Sequence, residues 1–184
     1  MHKALLLASA LLSTVPLGAA ELAGVTMEDN VTIGEQTLVL NGQGLRKKLF
    51  IKVYVAGLYL PAKETDAAKV LAADAPRRLE MSFLYGVGAG KLKDAWNEGL
   101  ENNTPQASST VQQGFEKLNG WMEDMAKGEQ MVFTYLPGSG TEVTVKGESR
   151  GSIAGKGFAD ALFACWIGPE PPSADFKDGL LGTP

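Results

Sequence analysis

The segment from Leu40 to Leu60, LNGQGLRKKLFIKVYVAGLYL, is the longest β-like run of the chain and constrains the fold more than any other part. From Leu49 to Leu60, both alternating sets of side chains are mostly apolar, and Lys52 is the one charged residue. A strand that is apolar on both sides lies within a sheet that is covered on both faces. The pattern therefore predicts a central strand over residues 49–60, roughly 40 Å long at about 3.3 Å per residue.

The rest of the chain alternates short strands with helices. Further strands are predicted over residues 21–36 (in one or two pieces), 37–40, 77–85, 130–136, 141–146 and 149–153. Helices are predicted to begin at Thr65, after Gly90, at Ser109, at Lys156 and at Ser173, with the third ending at Lys127-Gly128. Helices inserted among antiparallel strands predict an α+β fold.

The first twenty residues have the pattern of a signal peptide. A short positive start is followed by the apolar run Ala4–Leu12, and small residues precede a predicted cleavage after Ala20. The run is too short to span a bilayer, and no later segment is long and apolar enough to do so. We therefore expect a mature domain over residues 21–184, exported to the periplasm or secreted, without a transmembrane segment after cleavage.

Composition argues against several classes of function. The net charge is −4 and the chain has no long basic run, so nucleic acids and anionic membrane surfaces are poor candidate partners. The sole histidine, His2, lies in the leader, so the mature chain lacks the residue that Ser-His-Asp and Cys-His catalysis need. It also lacks the commonest zinc ligand, and no metal site is expected.

Two further features have residues that could form a chemical site. Cys165 is the only cysteine, so it cannot form an internal disulfide, and its apolar helical surroundings predict that it is buried. The glycine-rich stretch 86–91 ends in Lys91 like a phosphate loop, but Tyr85 and Leu92 occupy the positions where that motif needs Gly and Ser or Thr. We interpret it as a strand-to-helix turn and expect no cofactor.

A motif in the central segment resembles a known family. Gly42-x-Gly44-x-Arg46 followed by the apolar strand FIKVYVAGLYL resembles the signature segment of the chalcone isomerase superfamily, and two later segments, 135–141 and 158–168, are similar to its bacterial exported members. The resemblance implies an open-faced β-sandwich, in which a large antiparallel sheet carries helices packed on one face. A cleft between sheet and helices would hold the ligand.

The resemblance also implies a binding role for Arg46. The matching arginine holds a substrate phenolate in the enzymes and a carboxylate in fatty-acid-binding relatives, and a guanidinium suits both because it is a planar, permanently charged fork of donors. On the residues alone, Arg46-Lys47-Lys48 also fits a solvated basic turn. On one straight strand Arg46 and Tyr54 would be about 26 Å apart, so a shared site requires a turn or bulge near Lys47-Lys48.

Tyr54 and Tyr85 are the other candidate ligand-binding residues. Either hydroxyl could assist Arg46 as a donor to a carboxylate, and either tyrosine could instead be a core residue whose hydroxyl reaches the surface.

Most of the catalytic set of the enzymes is replaced in this chain. Arg46 is kept, but Tyr54 stands at the place of a catalytic Thr, Leu92 and Gly99 are matched to a Tyr and an Asn, and Cys165 is matched to a later Thr. The resemblance thus implies a non-catalytic protein that binds a small apolar carboxylate or phenolate, such as a fatty acid. The alternatives are a chalcone isomerase-type intramolecular lyase using Arg46 and Tyr54, and a structural or partner-binding module whose protein partner is not identified.

Overall fold

A computed structural model describes residues 19–183. Most of the predicted signal peptide, residues 1–18, lies outside this range. The strands of the described part are β1 (Ala19–Leu22), β2 (Val25–Glu28), β3 (Asn30–Ile33), β4 (Gln36–Lys48), β5 (Ile51–Leu60), β6 (Arg77–Phe83), β7 (Gln130–Leu136), β8 (Gly140–Val145) and β9 (Glu148–Ile153). The helices are α1 (Ala67–Ala72), α2 (Ala89–Asn103), α3 (Ser109–Gly120), α4 (Lys156–Ile167) and α5 (Ala174–Leu181).

Strands β3 to β9 form one curled antiparallel sheet of seven strands in sequence order. Each strand pairs with the next along the chain, and α1, α2 and α3 are inserted between strands that are neighbours in the sheet. Strands β1 and β2 form a separate hairpin. The prediction of an α+β fold with a large antiparallel sheet is confirmed.

The prediction of one long strand over residues 49–60 is wrong at its start. The chain turns at Leu49 and Phe50, and β4 and β5 form a hairpin with bulges after Leu40 and after Arg46. Leu49 has a φ of 55°, which Gly or Asn adopts more readily. Because neither residue of the turn is a turn former, alternation alone could not reveal it, and the Gly-x-Gly-x-Arg motif is part of a 13-residue strand.

The helices pack on one face of the sheet, as predicted, and bury an aromatic core. Its largest members include Trp96, Phe115, Phe133, Phe158 and Trp166. The opposite face is covered near β4 and β5 by the β1–β2 hairpin, through a smaller cluster that contains Met27, Leu38, Leu40, Val55 and Tyr59. Strand β5 is therefore covered on both faces, which explains its uninterrupted apolar sequence.

The two glycines of the motif permit helix α5 to lie directly on strand β4. A β-carbon added at Gly42 would overlap the carbonyl oxygen of Gly179, and one added at Gly44 would lie 2.6 Å from the carbonyl oxygen of Phe176. The backbones of the strand and the helix thus approach more closely than any side chain would allow.

Helix α3 is shorter than predicted. Ser108, not Ser109, caps it by accepting a hydrogen bond from the backbone of Val111, and the helix ends at Gly120 instead of Lys127-Gly128. The apolar spacing continues past its end because Met122 and Met125 are buried from the irregular connection that follows the helix. Within residues 19–183, no helix is long and apolar enough to cross a membrane.

Candidate functional site

A cavity of about 790 Å³ lies between the sheet and the helices, near the β4–β5 turn. Its interior is formed by buried apolar side chains from β6, α2 and α4, namely Met81, Phe83, Leu92, Trp96 and Trp166. Its rim carries exposed charged residues of both signs, namely Lys48, Lys91, Asp94, Glu98 and Glu170. The cavity thus offers an apolar interior behind a polar rim, the usual form of a small-molecule site.

The structure brings all three candidate ligand-binding residues to this cavity. Arg46, Tyr54 and Tyr85 all line it. Because the chain turns at Leu49 and Phe50, Arg46 lies directly opposite Tyr54 in the register of β4 and β5. The two side chains are therefore neighbours across one hairpin instead of being separated along one strand.

Arg46 is half-buried, and hydrogen bonds to the backbone fix one end of its guanidinium. Nη1 donates to the carbonyl oxygens of Lys47 at 2.8 Å and of Pro172 at 3.0 Å. In residues 19–183, no carboxylate oxygen lies within 4.0 Å of its side-chain nitrogens, although Glu170 borders the same cavity. Nη2 and Nε make no hydrogen bond to any described residue, so they remain available to an anion.

Arg77 shows what a structural arginine looks like in the same molecule. It is fully buried, pairs with Asp160, donates to the carbonyl oxygen of Val70 at 3.0 Å, and lies against the rings of Tyr135 and Phe163. Its charge is therefore neutralised within the fold. Arg46, in contrast, has no carboxylate partner among the described residues, so its charge can bind an anionic ligand.

Tyr54 is buried between the sheet and the helices. Its hydroxyl accepts a hydrogen bond from Nε1 of Trp166 at 3.3 Å, and its ring packs against Phe83 and Phe176. Burial raises its pKa to about 12, so the phenol remains protonated at neutral pH. The hydroxyl proton is then free to be donated toward the cavity.

Tyr85 lies at the rim. It follows the end of β6, its backbone N–H donates to the carbonyl oxygen of Val53 at 3.2 Å, and its side chain is 53% exposed. Tyr85 therefore borders the opening of the cavity, whereas Tyr54 lies in the interior.

The positions matched to the catalytic set also lie on the cavity wall. Leu92, Gly99 and Cys165 all line it, and a β-carbon added at Gly99 would lie 2.6 Å from Sγ of Cys165. Cys165 is buried, as predicted, and burial raises its pKa to about 12, so it is a neutral thiol that donates weakly to the carbonyl oxygen of Ala161. None of the three provides a strong hydrogen-bonding group to a substrate.

Sequence reasoning missed the segment that follows α4. Pro172 holds Arg46 through its carbonyl oxygen, and Asn103 fixes the segment by accepting from the backbone of Glu170 and donating to its carbonyl oxygen. These contacts join residues far apart in the chain, and the sequence carries no local signal for them. In the described part of the chain, no group of three or more His, Cys, Asp or Glu side chains is arranged to hold a metal ion.

Comparison with known proteins identifies the family. A model of the chalcone isomerase-like family matches residues 19–182, and the chain therefore belongs to that family. Among solved structures, a fatty-acid binding protein from Arabidopsis thaliana matches with a TM-score of 0.68 and 18% sequence identity, over 89% of this chain and 96% of the plant protein. At that identity the likeness establishes the fold. No curated protein sequence matches the chain.

Proposed function

We propose that the protein binds a small apolar carboxylate, such as a fatty acid, in the cavity between sheet and helices, and that it does so without catalysis. Arg46 would hold the carboxylate, Tyr54 and Tyr85 would assist as donors, and the apolar interior would hold the tail. The observation that carries this proposal is the half-buried Arg46 guanidinium, which lines an apolar cavity and has no carboxylate partner among residues 19–183.

The size and lining of the cavity support this class of ligand. About 790 Å³ lies within the range of roughly 300–1,000 Å³ typical of small-molecule sites. Each methylene group that leaves water for such an interior contributes about 0.8 kcal/mol. A long tail would therefore supply most of the affinity, and Arg46 would select the anionic head group.

Binding fits the cavity better than catalysis does. Of the positions matched to the catalytic set of a chalcone isomerase-type lyase, only Arg46 and Tyr54 provide a strong donor, because Leu92, Gly99 and Cys165 contribute none to the wall. The likeness to a plant protein named for fatty-acid binding supports the same choice of ligand.

Export through the predicted signal peptide is the second part of the proposal. Cleavage after Ala20 would shorten β1, but Glu21 and Leu22 would remain opposite Thr26 and Val25 of β2. The mature chain would thus keep part of the hairpin that covers the second face of the sheet. The intact mass of protein isolated from the periplasm or medium tests this, and a chain that retains residues 1–20 would contradict it.

Native mass spectrometry of the purified protein tests the binding proposal. We expect an adduct with the mass of a fatty acid on the wild-type protein and its loss in Arg46→Ala. A charge-assisted hydrogen bond contributes about 1.5–3 kcal/mol, so the affinity for added palmitate should fall on the order of 10- to 100-fold.

Arg150→Ala is the matched control. Arg150 is also half-buried, but it lies on β9 at the far edge of the sheet, where it pairs with Glu123. Its removal should leave the adduct unchanged. Palmitate that binds equally well to Arg46→Ala and to the wild-type protein would refute the anchoring role, and a wild-type protein that binds no palmitate would refute the proposed function.

A further inference from the structure

The turn between β4 and β5 exposes an unusual amount of apolar surface. We call residues 47–52 the β4–β5 tip. Leu49 is 87% exposed, Phe50 is 101% exposed and Ile51 is 43% exposed. Among the described residues, Tyr85 is the only other large hydrophobic side chain that is exposed. Contiguous apolar surface of this kind marks a site of interaction with a partner or a membrane.

Folding does not explain the two residues at the turn. Leu49 adopts a φ of 55°, and turns of two-residue hairpins favour Asn and Gly at such positions. Neither Leu49 nor Phe50 belongs to either hydrophobic cluster of the fold. Their apolar side chains therefore contribute little to folding, and an external contact would account for them.

The charges around these side chains indicate the kind of contact. Lys47, Lys48 and Lys52 flank the apolar residues, and all three are exposed. No carboxylate of residues 19–183 pairs with any of them. Although the net charge of the chain is −4, the tip therefore concentrates positive charge around exposed apolar side chains. Apolar side chains ringed by lysines match the boundary of a bilayer with anionic head groups.

We propose that the β4–β5 tip docks the protein onto anionic lipid bilayers. Leu49 and Phe50 enter the boundary between head groups and acyl chains, and the three lysines contact lipid phosphates. The acidic composition of the whole chain argues against such a surface, but an average over the chain does not describe this hairpin.

Docking at this tip would also orient the cavity. Lys48 and Ile51 of the tip, together with the exposed Tyr85, line the cavity. The opening would therefore lie near the bilayer surface when the tip is inserted. The docking itself does not depend on what the cavity binds, so its test is independent of the function proposed above.

Sedimentation with vesicles tests the proposal. The probes are vesicles of equal parts phosphatidylglycerol and phosphatidylcholine, and vesicles of phosphatidylcholine alone. We expect the purified protein to bind the anionic vesicles at least tenfold more tightly than the neutral ones, with binding that weakens as salt is added. The intact mass of every sample must show the same N-terminus, so that samples differ only at the substituted residues.

The decisive variant combines Leu49→Gly with Phe50→Asn. Of the two turn residues only Leu49 has a positive φ, as in a type II′ turn, which favours Gly at that position. The variant therefore removes the two exposed apolar side chains while keeping or raising the stability of the hairpin. We expect at least a tenfold loss of binding to anionic vesicles and an unchanged or higher unfolding midpoint. Unchanged vesicle binding in this variant would overturn the proposal.

Single lysine substitutions separate the electrostatic contribution. Lys47→Gln should weaken binding to anionic vesicles about fivefold, from about 1 kcal/mol per lysine near an anionic surface. Lys69→Gln removes the same charge from an exposed lysine of α1, beside Leu60 at the opposite end of β5, and should change nothing. Equal effects of the two substitutions, or wild-type protein that binds neither kind of vesicle, would also overturn the proposal. Capture of a protein at the tip without vesicle binding would identify a different partner and refute the lipid assignment.

Discussion

The substitution Cys165→Ala should change how the stability of the protein depends on pH. The thiol is buried, and desolvation raises its pKa from the usual 9.0 to about 12. Between these values the folded protein keeps the proton, whereas the unfolded chain loses it. The thiol therefore lowers the free energy of unfolding as the pH rises above about 9, and it has no such effect below that pH.

The size of the effect follows from the two pKa values. The loss is about 1.4 kcal/mol per pH unit, so at about pH 10.5 the wild-type protein has lost about 2 kcal/mol through this one group. Truncating the buried side chain to alanine should itself cost about 1 kcal/mol at neutral pH. We therefore expect Cys165→Ala to be the less stable protein near pH 7 and the more stable one near pH 10.5.

Urea unfolding of both proteins at the two pH values, followed by tryptophan fluorescence, measures the difference. The buried tyrosines 54, 59 and 135 also have raised pKa values, and they destabilise the protein above about pH 10. All three are present in both proteins, so the effects of Tyr59 and Tyr135 cancel in the comparison. Tyr54 lies near Cys165, and a charged thiolate would raise the pKa of its phenol further, but the folded thiol is still protonated at about pH 10.5, so the effect of Tyr54 cancels there as well. A difference in stability that stays constant from neutral to alkaline pH would refute the reasoning, because it would mean that the folded thiol titrates like an exposed one.

Three other substitutions test separate contacts by urea unfolding. Tyr54→Phe leaves the indole N–H of Trp166 without its partner, and we expect a loss of about 1–3 kcal/mol; an unchanged midpoint would contradict that hydrogen bond. Gly42→Ala places a β-carbon against the carbonyl oxygen of Gly179, and we expect a loss of about 2–3 kcal/mol with faster hydrogen exchange in α5; normal exchange would show that α5 does not pack so closely. Arg77→Met removes the buried partner of Asp160 in α4, and we expect the free energy of unfolding to fall by on the order of 3 kcal/mol. A change below about 0.5 kcal/mol would show that this ion pair does not stabilise the fold.

Elements with local signals could be predicted from the sequence. The bounds of α4 match the prediction because Gly168-Pro169 marks its end, and α5 begins after Ser173, whose side chain caps it. Strand β7 also matches its predicted range, because polar residues and glycine border its apolar run.

The centre of the fold could be predicted only in part. The apolar run after Lys48 predicted a strand covered on both faces, and β5 is such a strand. The turn at Leu49 and Phe50 could not be predicted, because strand-forming residues occupy both turn positions. The end of α3 could not be predicted either, because buried methionines continue the apolar spacing beyond the last helical turn.

The arrangement of the candidate site could not be predicted from local sequence, because it depends on contacts between residues far apart in the chain. Family resemblance singled out Arg46, but its position opposite Tyr54 follows from the unexpected turn, and its hydrogen bond to Pro172 joins the two ends of the domain. Local sequence patterns do not encode such contacts. The cavity wall likewise combines residues from β4, β5, β6, α2 and α4.

The most direct test of the proposed function is a calorimetric titration with palmitate and with its methyl ester. The ester keeps the tail but has no charge for Arg46 to bind. We expect the wild-type protein to bind palmitate at least tenfold more tightly than the ester, and Arg46→Ala to lose most of this preference. Equal binding of both probes by the wild-type protein, or a preference for palmitate that persists undiminished in Arg46→Ala, would contradict the role of Arg46 as the anion anchor.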